Sequence, residues 1–276
     1  MVSVVEISSK VLGWLGAFLF LLLSGAFLGL LMSRGFLWFL ASYSTETAFE
    51  IMIAALGTLF VTVLSVFIAA PLGMIVGIVK AQRLLPRFGH FLDVFIDSLA
   101  SLPSIAVGFL GYWAILQMRT YFDWNLFPGL LPAASCLAIL NLPIIVRTTE
   151  SAIIQIPRDL QVTGASLGFT PLQNIFYVLL PLAKKGIGGG LSLAFSRAAE
   201  DTAVVMLTGA VVDAILPRNL WDAFPTLSMQ IFFGITDARS ENDEAKLFVC
   251  TLVLLAMTTL SSLFGERLLR KRERSP

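Results

Sequence analysis

The residues of this sequence best suited to chemistry stand together inside an apolar stretch. Arg197, Glu200, Asp201 and Thr202 fall within the run from about 187 to 212. An ionisable group at membrane depth costs roughly 2.5 kcal/mol or more, so such groups face an internal cavity or one another. On a continuous helix, positions three and four beyond Arg197 share its face, so the arginine could pair with either carboxylate. Two readings follow: a buried structural ion network, or a polar path in which Arg197 makes bidentate contact with an oxyanion. No other catalytic apparatus is legible. The lone His90 cannot form a metal cluster, and Cys136 and Cys250 lie in apolar runs without metal or redox spacing. A Gly-x-x-x-x-Gly-Lys-Ser/Thr loop is absent, so the chain has no ATPase site of its own. The expectation is a chain without catalytic residues, metal or cofactor, rather than an enzyme.

A second segment also exceeds what membrane packing requires. Between Arg147 and Gly186, Ile156-Pro157-Arg158 places a proline where a helix can start, and Gly168 interrupts the pattern that follows. Thr170-Pro171-Leu172-Gln173 reads as a capping box with proline at the first helical position. Leu172, Ile175, Phe176 and Leu179 then have the spacing of an apolar helix face. The expected unit is helix–Gly–helix on the cytoplasmic surface.

The elements that must carry these segments are membrane spans. Hydrophobic residues make up 57% of the 276 and charged residues 13%, too few charges to cover a soluble protein of this size. Apolar runs occur at about 12–32, 51–79, 94–116, 127–146, 187–212 and 247–264, each long enough for a helix to cross roughly 30 Å of hydrocarbon. The fold class is therefore all-α: a polytopic helical membrane protein of about six transmembrane helices, one transmembrane domain over 1–276, with a cytoplasmic loop at 147–186. The first run is too long for a secretory signal and reads as a retained span. With the N-terminus inside, inner segments hold thirteen Lys and Arg and outer loops five, which places both termini in the cytoplasm. A net charge of +1 gives no reason to expect nucleic acid. Gly25/Gly29 and Gly73/Gly77 are spaced for close helix packing, within the chain or with a second copy. Pro71, Pro103 and Pro143 imply kinks or helix ends inside spans.

Taken together, the two unusual segments resemble the inner-membrane permeases of bacterial binding-protein-dependent ABC importers, with their MetI-like, type I fold. Those proteins carry a cytoplasmic motif in which a glycine is followed by an apolar residue ten positions on and a proline thirteen on. Gly168, Val178, Leu180 and Pro181 match that spacing, while the Glu-Ala-Ala portion is replaced by Val162-Thr163-Gly164. A narrower resemblance is to PstA-like phosphate permeases. It rests on Leu102-Pro103-Ser104-Ile105, on the run from Leu142 to Glu150, and on Ser196-Arg197-Ala198-Ala199-Glu200-Asp201-Thr202-Ala203. The family's Gly-Glu is Glu200-Asp201 here.

The resemblance implies a bacterial inner-membrane subunit that imports phosphate or another oxyanion. It implies a cytosolic ATPase dimer docked through Gly164, Gly168, Val178, Leu180 and Pro181. A second permease, PstC-like or a copy of this chain, and an extracytoplasmic phosphate-binding protein complete the implied assembly. It places Arg197 and Asp201 on the translocation path. Near neutral pH phosphate still carries protons and donates hydrogen bonds to carboxylates, whereas sulfate only accepts, so a site mixing arginine with carboxylates favours phosphate. The competing class is an ion-coupled secondary transporter with Arg197, Glu200 and Asp201 as a relay, against which the sequence shows no inverted internal repeat.

Overall fold

The computed structural model describes residues 2–41, 45–84, 87–122, 127–212, 215–237 and 241–270. Its helices, in chain order, are α1 (Val2–Ala41), α2 (Thr45–Ala81), α3 (Gly89–Ser101), α4 (Ser104–Phe122), α5 (Leu130–Ile154), α6 (Arg158–Ser166) and α7 (Pro171–Asn174). A π-helical turn over Ile175–Leu179 joins α7 to α8 (Leu180–Glu200). There follow α9 (Thr202–Thr208), two short parallel strands β1 (Ala210–Val211) and β2 (Phe224–Pro225), α10 (Leu227–Asp237) and α11 (Glu241–Arg270).

Among the described residues, five stretches are long and apolar enough to cross a membrane: Gly13–Gly35, Thr45–Ala81, Leu130–Ile154, Pro171–Glu200 and Asp243–Gly265. A sixth is reached if α3 and α4 count as one broken span, since they meet at 95°. The sequence-based spans at 12–32, 51–79 and 247–264 fall inside single helices, and the fourth is displaced toward α5. The other two need correction. The run at 94–116 is interrupted at Leu102-Pro103, because proline cannot donate the amide hydrogen bond that would continue the helix. The run at 187–212 is neither the beginning nor the end of its helix, which opens at Pro171 and stops at Glu200. Within 147–186, α5 runs on to Ile154, α6 covers Arg158–Ser166 and the next helix opens at Pro171.

The core is built on α2 and α5. Gly73 and Gly77 sit where the two backbones approach: a Cβ at Gly77 would lie 2.7 Å from Thr149 Cβ, and one at Gly73 2.8 Å from Ile145 Cγ2. Gly25 and Gly29, by contrast, meet nothing within 4 Å. α1 touches the bundle through α11, and over residues 13–35 most of its apolar side chains are exposed. α8 packs on α5 and α11, where Ser192 Oγ donates to the Ser261 carbonyl at 2.6 Å.

The segment after α9 folds back into the bundle: Phe224, Leu227 and Met229 are buried, and the Leu227 amide donates to Thr58 Oγ1 on α2 at 2.9 Å. β1 and β2 pair because the chain must satisfy its amides there without a helix.

The glycine geometry yields a paired expectation. Gly77→Leu should force α2 from α5 and destabilise the bundle by about 1–3 kcal/mol. Gly29→Leu, in open space, should leave the thermal unfolding midpoint in detergent unchanged.

Candidate functional site

The polar cluster owes its geometry to a break in the helix. α8 ends at Glu200, Asp201 adopts extended backbone at φ −77° and ψ 108°, and α9 restarts at Thr202. Asp201 is the N-cap of α9, its Oδ1 accepting from the Val204 amide at 2.9 Å. A carboxylate at this position satisfies one of the donors that every helix start leaves open. The expectation that Arg197, Glu200 and Asp201 share one face of a continuous helix is therefore corrected, since Asp201 belongs to the turn.

The four residues are nonetheless brought together. Arg197, Glu200, Asp201 and Thr202 line a cavity of about 390 Å³, with Ser104 and Ala203 completing it. Ser104 opens α4 directly after the Leu102-Pro103 break, so the two interrupted helices meet at this cavity. α9 is held against α4 and α5, with Val204 and Val205 buried. Among the described residues no ion pair within 4.0 Å links Arg197 to a carboxylate. The guanidinium donors thus stay open toward the cavity, beside two carboxylates and two hydroxyls. Such a lining both donates and accepts hydrogen bonds, which suits an anion that still carries a proton. No group of three or more His, Cys, Asp or Glu that could hold a metal occurs among the described residues.

The second segment is a tight helix–turn–helix. Gly168 has φ +80°, and the Phe169 amide donates to the Gly164 carbonyl at 2.9 Å, closing α6 with a left-handed glycine cap. Thr170 and Gln173 form the reciprocal capping box, Gln173 Oε1 accepting from the Thr170 amide at 2.8 Å. Gly164 is buried, and its Cα side faces Asn174, whose Oδ1 would lie 2.2 Å from an added Cβ. Of the four side chains expected on one apolar face, Ile175 and Leu179 are buried against Ile153, Ile156 and Ala183. Leu172 and Phe176 are 67% and 63% exposed. With Leu160, Val162, Leu167 and Tyr177 they give this connection an open apolar surface. Val178 and Leu180 are half-buried, and Pro181, at the first turn of α8, is exposed.

Sequence reading missed an ion network near the ends of α2, α3 and α5. Lys80, with only 3% of its side chain exposed, binds Asp93 at 2.5 Å and Glu150 at 2.8 Å. Arg147 bridges Asp93 at 3.3 Å, Asp97 at 2.5 Å and Glu150 at 3.6 Å. Only the Arg147–Glu150 spacing was available as a local signal; the other partners come from helices far apart in sequence.

Residues 69–274, which include the cavity, the glycine turn and the ion network, match the family described as binding-protein-dependent transport system inner membrane component. The chain belongs to this family. It is an ABC importer permease of the MetI-like type, whose ATPase is a separate subunit. The permease is 25% identical over 246 residues to phosphate transport system permease protein PstC 1 of Mycobacterium bovis, covering 79% of this chain and 72% of that one. It is 29% identical over 181 residues to phosphate transport system permease protein PstA of Haemophilus influenzae, covering 65% and 61%. The inward-facing MetNI methionine ABC transporter shares its fold, with a TM-score of 0.64 at 19% identity over 83% of this permease and 99% of that chain.

The network gives a testable dependence. Lys80→Met removes the buried one of the two cations that Asp93 and Glu150 share. The permease should lose about 1–3 kcal/mol, less than a fully buried pair would cost because Asp93 is partly solvated. A thermal unfolding midpoint unchanged in Lys80→Met would show that Arg147 alone holds α3.

Proposed function

We propose that this permease passes an oxyanion, inorganic phosphate before others, across a bacterial cytoplasmic membrane through the cavity at the Asp201 break. The observation that carries the reading is an arginine that makes no ion pair with a described residue and lines one cavity with two carboxylates and two hydroxyls at a meeting of broken helices. Glu200 favours a protonated anion, since hydrogen phosphate can donate to it and sulfate cannot. The phosphate-transport names of the relatives support the same substrate. Glu200, standing where PstA-like permeases have glycine, also leaves room for a different protonated oxyanion of the same shape.

The remaining parts of the proposal follow from the other site. The open apolar surface around Leu167, Leu172 and Phe176 is of the kind that a protein partner covers. We assign it to a cytosolic ATPase dimer, driven through Gly164, Gly168, Val178, Leu180 and Pro181. A second permease, a paralogue or a second copy, and an extracytoplasmic binding protein complete the assembly. The excess of Lys and Arg on one side supports both termini facing the cytoplasm.

Uptake by the assembled transporter in cells lacking other phosphate carriers tests the substrate. Arg197→Ala should abolish uptake, and Arg197→Lys should restore only part of it, because a point ammonium replaces a planar fork. Glu200→Gly should keep stimulated ATPase activity while changing the ratio of phosphate to sulfate or arsenate uptake. An unchanged ratio, together with full activity of Arg197→Ala, would reduce the cluster to a structural role.

The glycine turn has its own test. Gly168→Val imposes roughly 1–3 kcal/mol of backbone strain at φ +80°. Its six spans should still insert, while ATP hydrolysis and transport lose their coupling. Normal transport with normal stimulation of the ATPase would refute the docking assignment.

A further inference from the structure

A second cavity, with a lining separate from that of the Arg197 cluster, lies at the ends of α2, α3 and α5. It has a volume of about 780 Å³ and is lined by Lys80, Arg83, His90, Asp93, Glu150 and Arg158 among others. That volume is within the roughly 300–1,000 Å³ of pockets that hold small ligands. Its charges divide into two sets. Lys80, Asp93 and Glu150 are engaged with one another in the ion network, where Arg147 is the second cation shared by the two carboxylates. Arg83 and Arg158 are exposed, and neither makes an ion pair with a described residue, so the cavity presents two open guanidinium groups.

The depth and surroundings of the cavity say what anion fits. α2 is apolar up to Val79 and ends at Ala81, so Lys80 and Arg83 lie where a span leaves hydrocarbon. Alongside runs α3, which turns 95° away from α4. Its face around Phe91 and Phe95 is open: those rings stack at 6.2 Å between centroids and are 65% and 51% exposed, with Phe88 next to them also exposed. A helix with one aromatic face and basic neighbours is the pattern of an element lying in a membrane interface. A soluble anion would need the cations and gain nothing from the aromatic skirt. A lipid uses both.

We infer that this cavity holds the headgroup phosphate of an anionic phospholipid, with Arg83 and Arg158 as its ligands and the Phe88–Phe95 face of α3 in contact with the acyl chains. Arginine suits the role because its planar fork meets a phosphodiester bidentately. Basic pockets at the ends of transmembrane helices attract acidic headgroups for the same reason. Arg158 is also the first residue of α6, so the bound lipid would touch the helix that precedes the Gly168 turn. The inference does not depend on which solute the permease carries.

The test uses the assembled transporter in nanodiscs of phosphatidylcholine and phosphatidylglycerol, released for native mass spectrometry. Phosphatidylglycerol should be retained in preference to phosphatidylcholine. Arg83→Gln combined with Arg158→Gln should lower that retention by about tenfold or more, while the double lysine variant keeps most of it, and Arg218→Gln should have no effect. The lysine pair guards against a fold defect, since it preserves charge at both positions. Equal retention of the two lipids, or retention unaffected by the glutamine pair, would overturn the inference. So would millimolar inorganic phosphate binding to the lipid-free protein and lost in the glutamine pair, which would make the cavity a soluble-anion site. Loss of all bound lipid when the ATPase and second permease are present would assign the cavity to a subunit contact instead.

Discussion

Inside a membrane no water is available to satisfy a broken helix, and this constraint organises the permease. Each interruption must bring its own hydrogen-bond partners. At Asp201 the carboxylate supplies one by accepting from the Val204 amide. Past Gly209 the chain supplies others by pairing Ala210–Val211 with Phe224–Pro225 and by passing the Leu227 amide to Thr58. The polar cavity exists because a break in α8–α9 faces a break at Pro103. Polarity of the backbone and polarity of the side chains are thus concentrated in one place, and the rest of the bundle stays apolar around it.

What the sequence made legible follows the range of its signals. The turn at Gly168 and the Thr170–Gln173 capping box were readable because their causes are local: a left-handed backbone position and two side chains three residues apart. The spans were readable because length and hydrophobicity are properties of a single stretch. The grouping of Arg197, Glu200, Asp201 and Thr202 was also readable, but helical spacing gave the wrong reason for it. An aspartate among small and β-branched residues gives no strong sign that it will cap a new helix rather than continue the old one.

Other features had no local cause. The acidic partners of Lys80 come from α3 and α5, so sequence showed cations useful for orientation but not the network that uses them. The burial of Phe224, Leu227 and Met229 was hidden because the segment around them is too short for a span and is flanked by acidic residues. Its placement depends on α2 offering Thr58 as an acceptor, a contact between residues 169 positions apart.

The π-helical turn at Ile175–Leu179 has a mechanical consequence. It joins α7 to α8 without a loop, so Pro171–Glu200 is a continuous rod of 30 residues, about 45 Å at 1.5 Å per residue. One end carries the glycine turn and the other stops at the polar cavity. The two sites are therefore fixed to opposite ends of one element. The widened turn is the one place in the rod where an extra residue per turn relaxes the hydrogen-bond ladder. A change of helical register at that turn would rotate Arg197 and Glu200 about the axis of α8 relative to the glycine turn.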